Sequence, residues 1–558
     1  MSAQNAQGSQ IPVVLLKEGA TENKGKEAQK NNIAAAKQVA NIVKSCLGPR
    51  GMDKMLVSSI GDATITNDGA TILKELDVEH PAAKMIVEVA KSVDNEVGDG
   101  TTSSVVFTGA LLEKAEDLIN KHVHPSVIVD GYDAASQQAL KLLQKISVKV
   151  DIEDKELLKK IARTSMYSKL VSEDSPILGQ IAVDATRQVA EKIDGTNLNV
   201  DLDNVKVEKK AGGSIHDTKL IKGIVLDKEV VHAGMPKRIE KAKIALINSA
   251  LEIEKTEMSA EIRISDAQQM HRFLDEENKM LKSMVDKIKT TGANVIICQK
   301  GIDDMVQHYL SRSAILAVRR VKESDMSKLS KATGAEILNN LDDLDAKDLG
   351  TADLVEERKI ETDKWVFIEG CKNPKAVTIL VRGGSQRVVD EAERSMHDAL
   401  MVTKDVLEKP EIVSGGGATE AYIANELREW SSNMEGRGQL AVQKFADALD
   451  SIPLALAENA GMDPIDTMAE LRSKQNNGAK WTGVDVRSTR VTDMFKQDVL
   501  EPLLIKEQII KSATEASSML LRIDDVIAAG KSKMPPGPPG GGGMGGMGGG
   551  YGDGMDME

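Results

Sequence analysis

The turn Gly98-Asp99-Gly100-Thr101-Thr102 carries the residue types that a phosphate group and its counter-cation require. Asp99 offers the hard carboxylate oxygen that magnesium prefers. Thr101 and Thr102 offer hydroxyls, and the two glycines let the backbone come close to a ligand. Apolar residues at helical spacing precede the turn (Met85, Ile86, Val89, Val93, Val97) and follow it over residues 105–119, so it opens onto a helix N-terminus. Unpaired N–H groups and the positive end of the helix dipole face outward there and attract anions. The same residues also describe an ordinary capped turn in which Asp99 bonds its own backbone.

Further helix ends repeat the pattern. Asn67-Asp68-Gly69 closes a short strand over residues 62–66 and starts a helix, where Asp68 has at least the role of an N-cap worth about 1 kcal/mol. Gly48-Pro49-Arg50-Gly51 stops an amphipathic helix over residues 30–47. Gly415-Gly416-Gly417 opens onto a helix over residues 421–430, another surface of close backbone approach. There is no G-x-x-x-x-G-K-[ST], and no G-x-G-x-x-G ahead of the glycine-rich tail. A P-loop and a Rossmann fingerprint are therefore excluded, and a phosphate site here belongs to another fold.

With 558 residues the chain has room for three or four domains of about 150 residues each. Its 41% hydrophobic and 28% charged residues are those of a soluble globular protein. The core must be aliphatic, since the chain has only five Phe, five Tyr and three Trp. A formal net charge of −14 without a basic arm argues against nucleic acid as a partner. Cys46, Cys298 and Cys371 are far apart, with no C-x-x-C and no H-E-x-x-H, which disfavours a disulfide framework or a local zinc site and favours a reducing compartment. Residues 1–10 are polar, and no uncharged apolar run reaches the roughly 18 residues of a membrane span. A cytoplasmic location without membrane contact is expected.

The elements that would position these turns follow from periodicity. Residues 157–169 end in Ser168-Lys169. From Gly223 onward, strand-like runs at 243–248 and 294–299 alternate with helical stretches, suggesting an inserted α/β or α+β domain. Residues 264–288 read as a long helix with Met270, Phe273, Leu274, Leu281, Val285 and Ile288 on one side. A buried strand at 376–381 leads into a helix over 385–407, on which Asp390, Arg394 and His397 fall at i, i+4 and i+7. An Asp390–Arg394 salt bridge worth about 0.3–0.5 kcal/mol is the simplest role for that pair. One more helix is expected over 506–529. The Pro-, Gly- and Met-rich tail after Lys533 cannot bury enough apolar surface to order itself.

Residues 44–55 (through Cys46-Leu47-Gly48-Pro49), 66–72 (through Asn67-Asp68-Gly69) and 96–102 (through Gly98-Asp99-Gly100) resemble, in order and spacing, the three nucleotide-pocket motifs of the group II chaperonins, thermosome type. The likeness spans residues 13–529. It implies a multidomain α and α/β chaperonin fold: a mostly helical equatorial domain (1–152 and 409–530), a small intermediate domain (153–222 and 371–408), and an α/β apical domain (223–370). The apical domain would carry a helical lid protrusion at 252–290, and residues 531–558 would form a disordered Gly/Met tail. ATP and Mg2+ are the implied cofactors. Asp99 would hold the metal, while Leu47, Gly48, Pro49, Asp68, Gly100, Thr101, Thr102, Ser103, Ser168, Lys169, Gly416, Gly417 and Glu501 would bind nucleotide. Asp68 and Asp390 would be catalytic, with Lys169 sensing the terminal phosphate and Glu501 facing the ribose or base. The implied partners are non-native client proteins and identical or homologous subunits in stacked rings, without nucleic acid or membrane.

Because the glycine-rich motifs lie before residue 110 and after 410, the two outer segments are expected to meet, with the centre inserted between them. Asp390 would then swing toward the γ-phosphate on a separate body and couple hydrolysis to lid closure. Where the resemblance implies a glycine, this chain has Asp498, and a carboxylate there is expected to weaken nucleotide affinity. Two other readings are a structural ring or filament protein that uses nucleotide only to assemble, and a kinase acting on a small acceptor, for which no acceptor site is evident.

Overall fold

The computed structural model describes residues 21–58, 61, 63–194, 197–253, 267–372 and 374–528. The first part of the expected protrusion (254–266) and the Gly/Met tail lie outside the described residues. Two compact units are distinguished. In the smaller one, Thr21–Lys24 pairs antiparallel with Asp525–Ala528, from Thr21↔Ala528 to Lys24↔Asp525. The helix expected over 506–529 therefore ends early, at Leu521. Asp524 and Asp525 are poor helix formers, and the β-branched Val526 and Ile527 suit a strand once a partner is present. That partner lies at the opposite end of the chain, out of reach of local periodicity.

In the larger unit, both outer segments contribute to one helical core. Thr101–Asn120 and Pro125–Ile146 pack against Gly438–Leu449 and Leu503–Leu521. Phe107 and Tyr132 meet the Phe445 ring edge-on, at centroid distances of 5.3 and 5.7 Å. The Tyr132 hydroxyl donates to the Leu111 carbonyl at 2.8 Å, so this large side chain is buried without an unpaired polar atom.

The centre of the chain builds a seven-stranded mixed sheet. Arg238–Ile247, Val295–Cys298 and Leu316–Val318 run parallel, joined across the helices Ala267–Thr291 and Asp304–Arg312. Gly350–Ile360, Asp363–Glu369 and Gly223–Leu226 extend the sheet antiparallel. The single apolar side expected on the long helix divides in two. Leu281, Val285 and Ile288 are buried, whereas Met270, Phe273 and Leu274 are 56, 51 and 45% exposed. Only the C-terminal half of Ala267–Thr291 belongs to the core; its N-terminal half presents apolar side chains to solvent.

A three-stranded sheet, Val205–Ala211, Val377–Gly383 and Lys219–Ile221, leads to the helix Gln386–Glu408. The Ser385 hydroxyl caps that helix by accepting from Val388 N. Its other end reaches the glycine-flanked turn: a Cβ on Gly98 would lie 2.3 Å from Met401. One rigid helix thus links a sheet made from the middle of the chain to the turn that holds Asp99. Among the described residues no helix is long and apolar enough to cross a membrane, and Cys46, Cys298 and Cys371 are free and buried.

Candidate functional site

Two helix starts face one cavity of about 320 Å³. Thr101–Asn120 begins after Gly100 (φ +78°) and Ala418–Ser432 after Gly417 (φ +72°), and neither start has a side-chain cap. Both N-cap glycines occupy the left-handed region, where a side chain would be strained. The Ala418 N–H donates to the Gly415 carbonyl at 3.3 Å, the other first-turn N–H groups are left for a ligand, and two positive dipole ends converge on it. Leu47, Gly48 and Pro49 form another wall, steadied by Asn459 Nδ2, which donates to the carbonyls of Lys44 (3.0 Å) and Leu47 (2.9 Å). Thr102, Ser103 and Ser168 line the same cavity, as do Gly416 and Glu501.

Asp99 lies in the wall beside the first helix start and accepts the Gly100 N–H at 2.6 Å. The local bond of an ordinary capped turn is therefore present, and it engages one carboxylate oxygen. Burial raises the Asp99 pKa, and the Gly100 bond and the ammonium groups of Lys169 and Lys506 do not bring it back down. A carboxylate in that condition fits a divalent cation, which would stabilise its charged form. Among the described residues no group of His, Cys, Asp and Glu cages a metal by itself. Magnesium characteristically takes one or two carboxylates and completes its shell with phosphate oxygens and water.

Lys169 closes one side of the cavity. Its side chain is 6% exposed, and Nζ lies 3.4 Å from Asp68 and 3.1 Å from Asp398. Asp68 also caps the helix Gly69–Glu75, its Oδ2 accepting from Thr71 N at 2.8 Å. Burial alone would raise the Asp68 pKa, but Lys169 and the Thr71 bonds leave it below the usual carboxylate value. Asp398 is pushed well above that value, by burial first and by the nearby Asp68 and Asp99 charges. Two carboxylates sharing one ammonium are thus driven apart in acidity, an arrangement suited to holding and moving a proton.

Asp390, expected to reach the γ-phosphate by a swing of its own body, stands outside the cavity in this conformation. Its carboxylate is 2.9 Å from Lys209 and accepts from Gln386 at 2.9 Å, and it does not line the cavity. Nor does it pair with Arg394, which instead bonds Glu391 at 2.6 Å. Asp390 and Asp398 share the helix Gln386–Glu408, but eight positions separate them by about 12 Å along the axis. In this conformation the helix that seats Asp398 against Lys169 holds Asp390 away from that ammonium. Sequence reading missed Asp398, although a carboxylate between the apolar positions Met396 and Ala399 was a visible signal.

Asp498 does not line the cavity. It adopts φ +59°, and its carboxylate turns away from the cavity to Lys160 Nζ at 3.0 Å. Asp tolerates the left-handed region better than most residues and so suits this backbone conformation. Asp498→Asn is expected to leave nucleotide affinity within about twofold of the parent, because only a half-exposed ion pair is lost; titration with a fluorescent nucleotide measures it. The hairpin Thr482–Asp485 with Arg490–Asp493 was also missed, and between its strands the Arg487 guanidinium lies 4.1 Å above the Tyr167 ring at the cavity wall.

Comparison with known proteins bears on the origin of this arrangement. Residues 39–531 match the TCP-1/cpn60 chaperonin family. The chain is 56% identical to thermosome subunit alpha of Archaeoglobus fulgidus over 529 residues, 94% of this chain and 97% of that protein. It is 55% identical over 520 residues to a thermosome subunit of Pyrococcus horikoshii, covering 93% of this chain and 94% of that one. This chain belongs to the chaperonin family. The likeness to archaeal thermosome subunits makes it a group II chaperonin. This chaperonin therefore has the expected multidomain α and α/β fold, and Asp68, Asp99 and Lys169 line one cavity in it, with Asp398 paired to the Lys169 ammonium.

Proposed function

We propose that this chaperonin is a ring-forming, ATP-hydrolysing folding machine, its subunits stacked in a double ring that encloses non-native proteins under a built-in lid. The observation that carries the reading is a cavity where two uncapped helix starts converge, with Lys169 and Asp68 in its wall and Asp398 paired to the same ammonium. A protein that used nucleotide only to assemble would need the helix starts but not a second carboxylate on the lysine.

ATP binds with its phosphates against the N–H groups and hydroxyls of Gly100, Thr101, Thr102 and Ser103 and those following Gly416 and Gly417, with Gly48 and Pro49 on the other side. Bound magnesium, held by Asp99, would neutralise phosphate charge and make the terminal phosphorus easier to attack. The γ-phosphate competes for the Lys169 ammonium and loosens its hold on the two carboxylates. Asp398 and Asp68 then orient the attacking water and accept its proton, which is mainly positioning chemistry. Because Asp398 stands on Gln386–Glu408, whose start adjoins the three-stranded sheet, its engagement provides a lever toward the central domain.

In this reading the outer segments are equatorial, the sheet of Val205–Ala211 and Val377–Gly383 is intermediate, and the seven-stranded sheet is apical. The exposed Met270, Phe273 and Leu274 on Ala267–Thr291 support a protruding lid, since such a patch calls for a partner. The buried free cysteines are in keeping with the cytoplasm. Deleting residues 254–287 is expected to preserve ATP turnover but abolish ATP-dependent protection of a denatured client from protease. A client that remains protected by the shortened protein would remove the lid from the proposal, and absence of ATP turnover in the intact protein would remove the machine.

A further inference from the structure

A second cavity, of about 440 Å³, adjoins the first at the Lys169 wall. Asp68 lines both cavities, whereas Lys169 lines the first and Asp398 the second. The 3.1 Å contact between Lys169 Nζ and the Asp398 carboxylate is therefore the partition between them. Three parts of the chain wall the second cavity. Asp68 and Asp94, the latter on the helix Pro81–Val97, come from the first outer segment. Val205, Arg394 and His397 come from the three-stranded sheet and the helix that follows it. Lys328 comes from the helix Glu323–Thr333, which packs on the seven-stranded sheet.

Among the charged groups of this second wall, Arg394 is held by Glu391 and Glu393 by Lys209, each at 2.6 Å. Lys328 has no ion-pair partner among the described residues, and His397, in helical phase with Asp390 and Arg394, takes no part in the catalytic reading. An ammonium and an imidazole both offer N–H groups to phosphate oxygens. In the reading above, cleavage leaves the terminal phosphate between ADP and the Lys169 wall, so the way out that does not pass ADP leads through the partition. Burial already pushes the Asp398 carboxyl well above its usual pKa. Once it has taken the proton of the attacking water, it holds Lys169 less tightly and no longer repels an anion. We propose that the second cavity is the exit for inorganic phosphate, which leaves past Asp398 toward Lys328 and His397 while ADP remains at the helix starts. The proposal rests on the nucleotide reading above. Because the walls belong to three parts of the chain, a change in their relative setting widens or shuts the route, which ties phosphate release to lid movement.

The experiment follows a single turnover of ATP by the intact assembled protein, reading cleavage by acid quench and free phosphate with a fluorescent phosphate-binding sensor. Lys328→Glu and His397→Trp should keep cleavage within about twofold of the parent and slow phosphate release about tenfold or more, one by repelling the anion and the other by narrowing the route. Dissociation of ADP bound by itself should be unchanged. Lys328→Arg should release phosphate like the parent, and so should Lys322→Glu, at the start of the same helix but outside the cavity. Phosphate that appears together with cleavage in Lys328→Glu and His397→Trp would overturn the proposal and leave the cavity to water alone. A delay in Lys322→Glu equal to that in Lys328→Glu would overturn it too, as would ADP dissociation slowed as much as phosphate release. If His397→Trp does not assemble, Lys328→Glu decides by itself. A parent that cleaves no ATP refutes the nucleotide site, whereas a parent that cleaves it, with variants that release phosphate on time, refutes the exit alone.

Discussion

Asp398→Ala should bind Mg-ATP about as well as the parent and hydrolyse it about 10²- to 10³-fold more slowly, the loss that accompanies removal of a group that positions water and accepts its proton. Asp398 lies 3.1 Å from Lys169 Nζ and Asp68 3.4 Å from the same atom, so removing Asp398 leaves the ammonium paired, and Asp398 is not among the residues lining the cavity. The buried lysine keeps one carboxylate, and the variant should fold; a thermal melt checks this independently of turnover. Asp390→Ala is the informative companion. Its carboxylate pairs with Lys209 outside the cavity in this conformation, so unchanged turnover would leave the chemistry to Asp398, and a loss of turnover with nucleotide binding kept would show that Asp390 swings to the γ-phosphate. Steady-state hydrolysis with nucleotide titration measures both, and the reverse outcome, Asp390→Ala inactive and Asp398→Ala active, would refute the site as assembled here.

The second large effect is expected at Asp99. Asp99→Ala should lose about a hundredfold in magnesium-dependent nucleotide affinity, because its carboxylate is the one at the turn between the two helix starts and magnesium retains few protein ligands to begin with. The sign reverses without the metal. With EDTA present, the variant should bind nucleotide at least as well as the parent, since a negative charge leaves the phosphate site and the Gly100 N–H loses its internal acceptor. Titrations with and without magnesium separate the metal role from a purely local cap. If Asp99 only stabilised its turn, affinity would fall equally in both conditions.

What was legible in the residues alone was set by neighbours in the chain. The glycine-flanked turns at Asp68 and Asp99, the helix starts after Gly100 and Gly417, and the buried strand leading into Gln386–Glu408 follow from spacing and from the few conformations open to glycine, aspartate and proline. The order of three motifs was enough to mark the family. Asp390 and Asp398 could not be separated in this way, because both ride on one helix and each looks like a helical carboxylate. Which of them meets Lys169 depends on how Gln386–Glu408 is set against Lys155–Met166, a packing of segments far apart in sequence. The Thr21–Lys24 pairing that ends the last helix early, the outward half of Ala267–Thr291, and the second cavity beside Asp398 have the same origin. Local backbone preferences are worth tenths of a kcal/mol to about one per residue, and burial and buried charge outweigh them wherever distant segments compete for the same space.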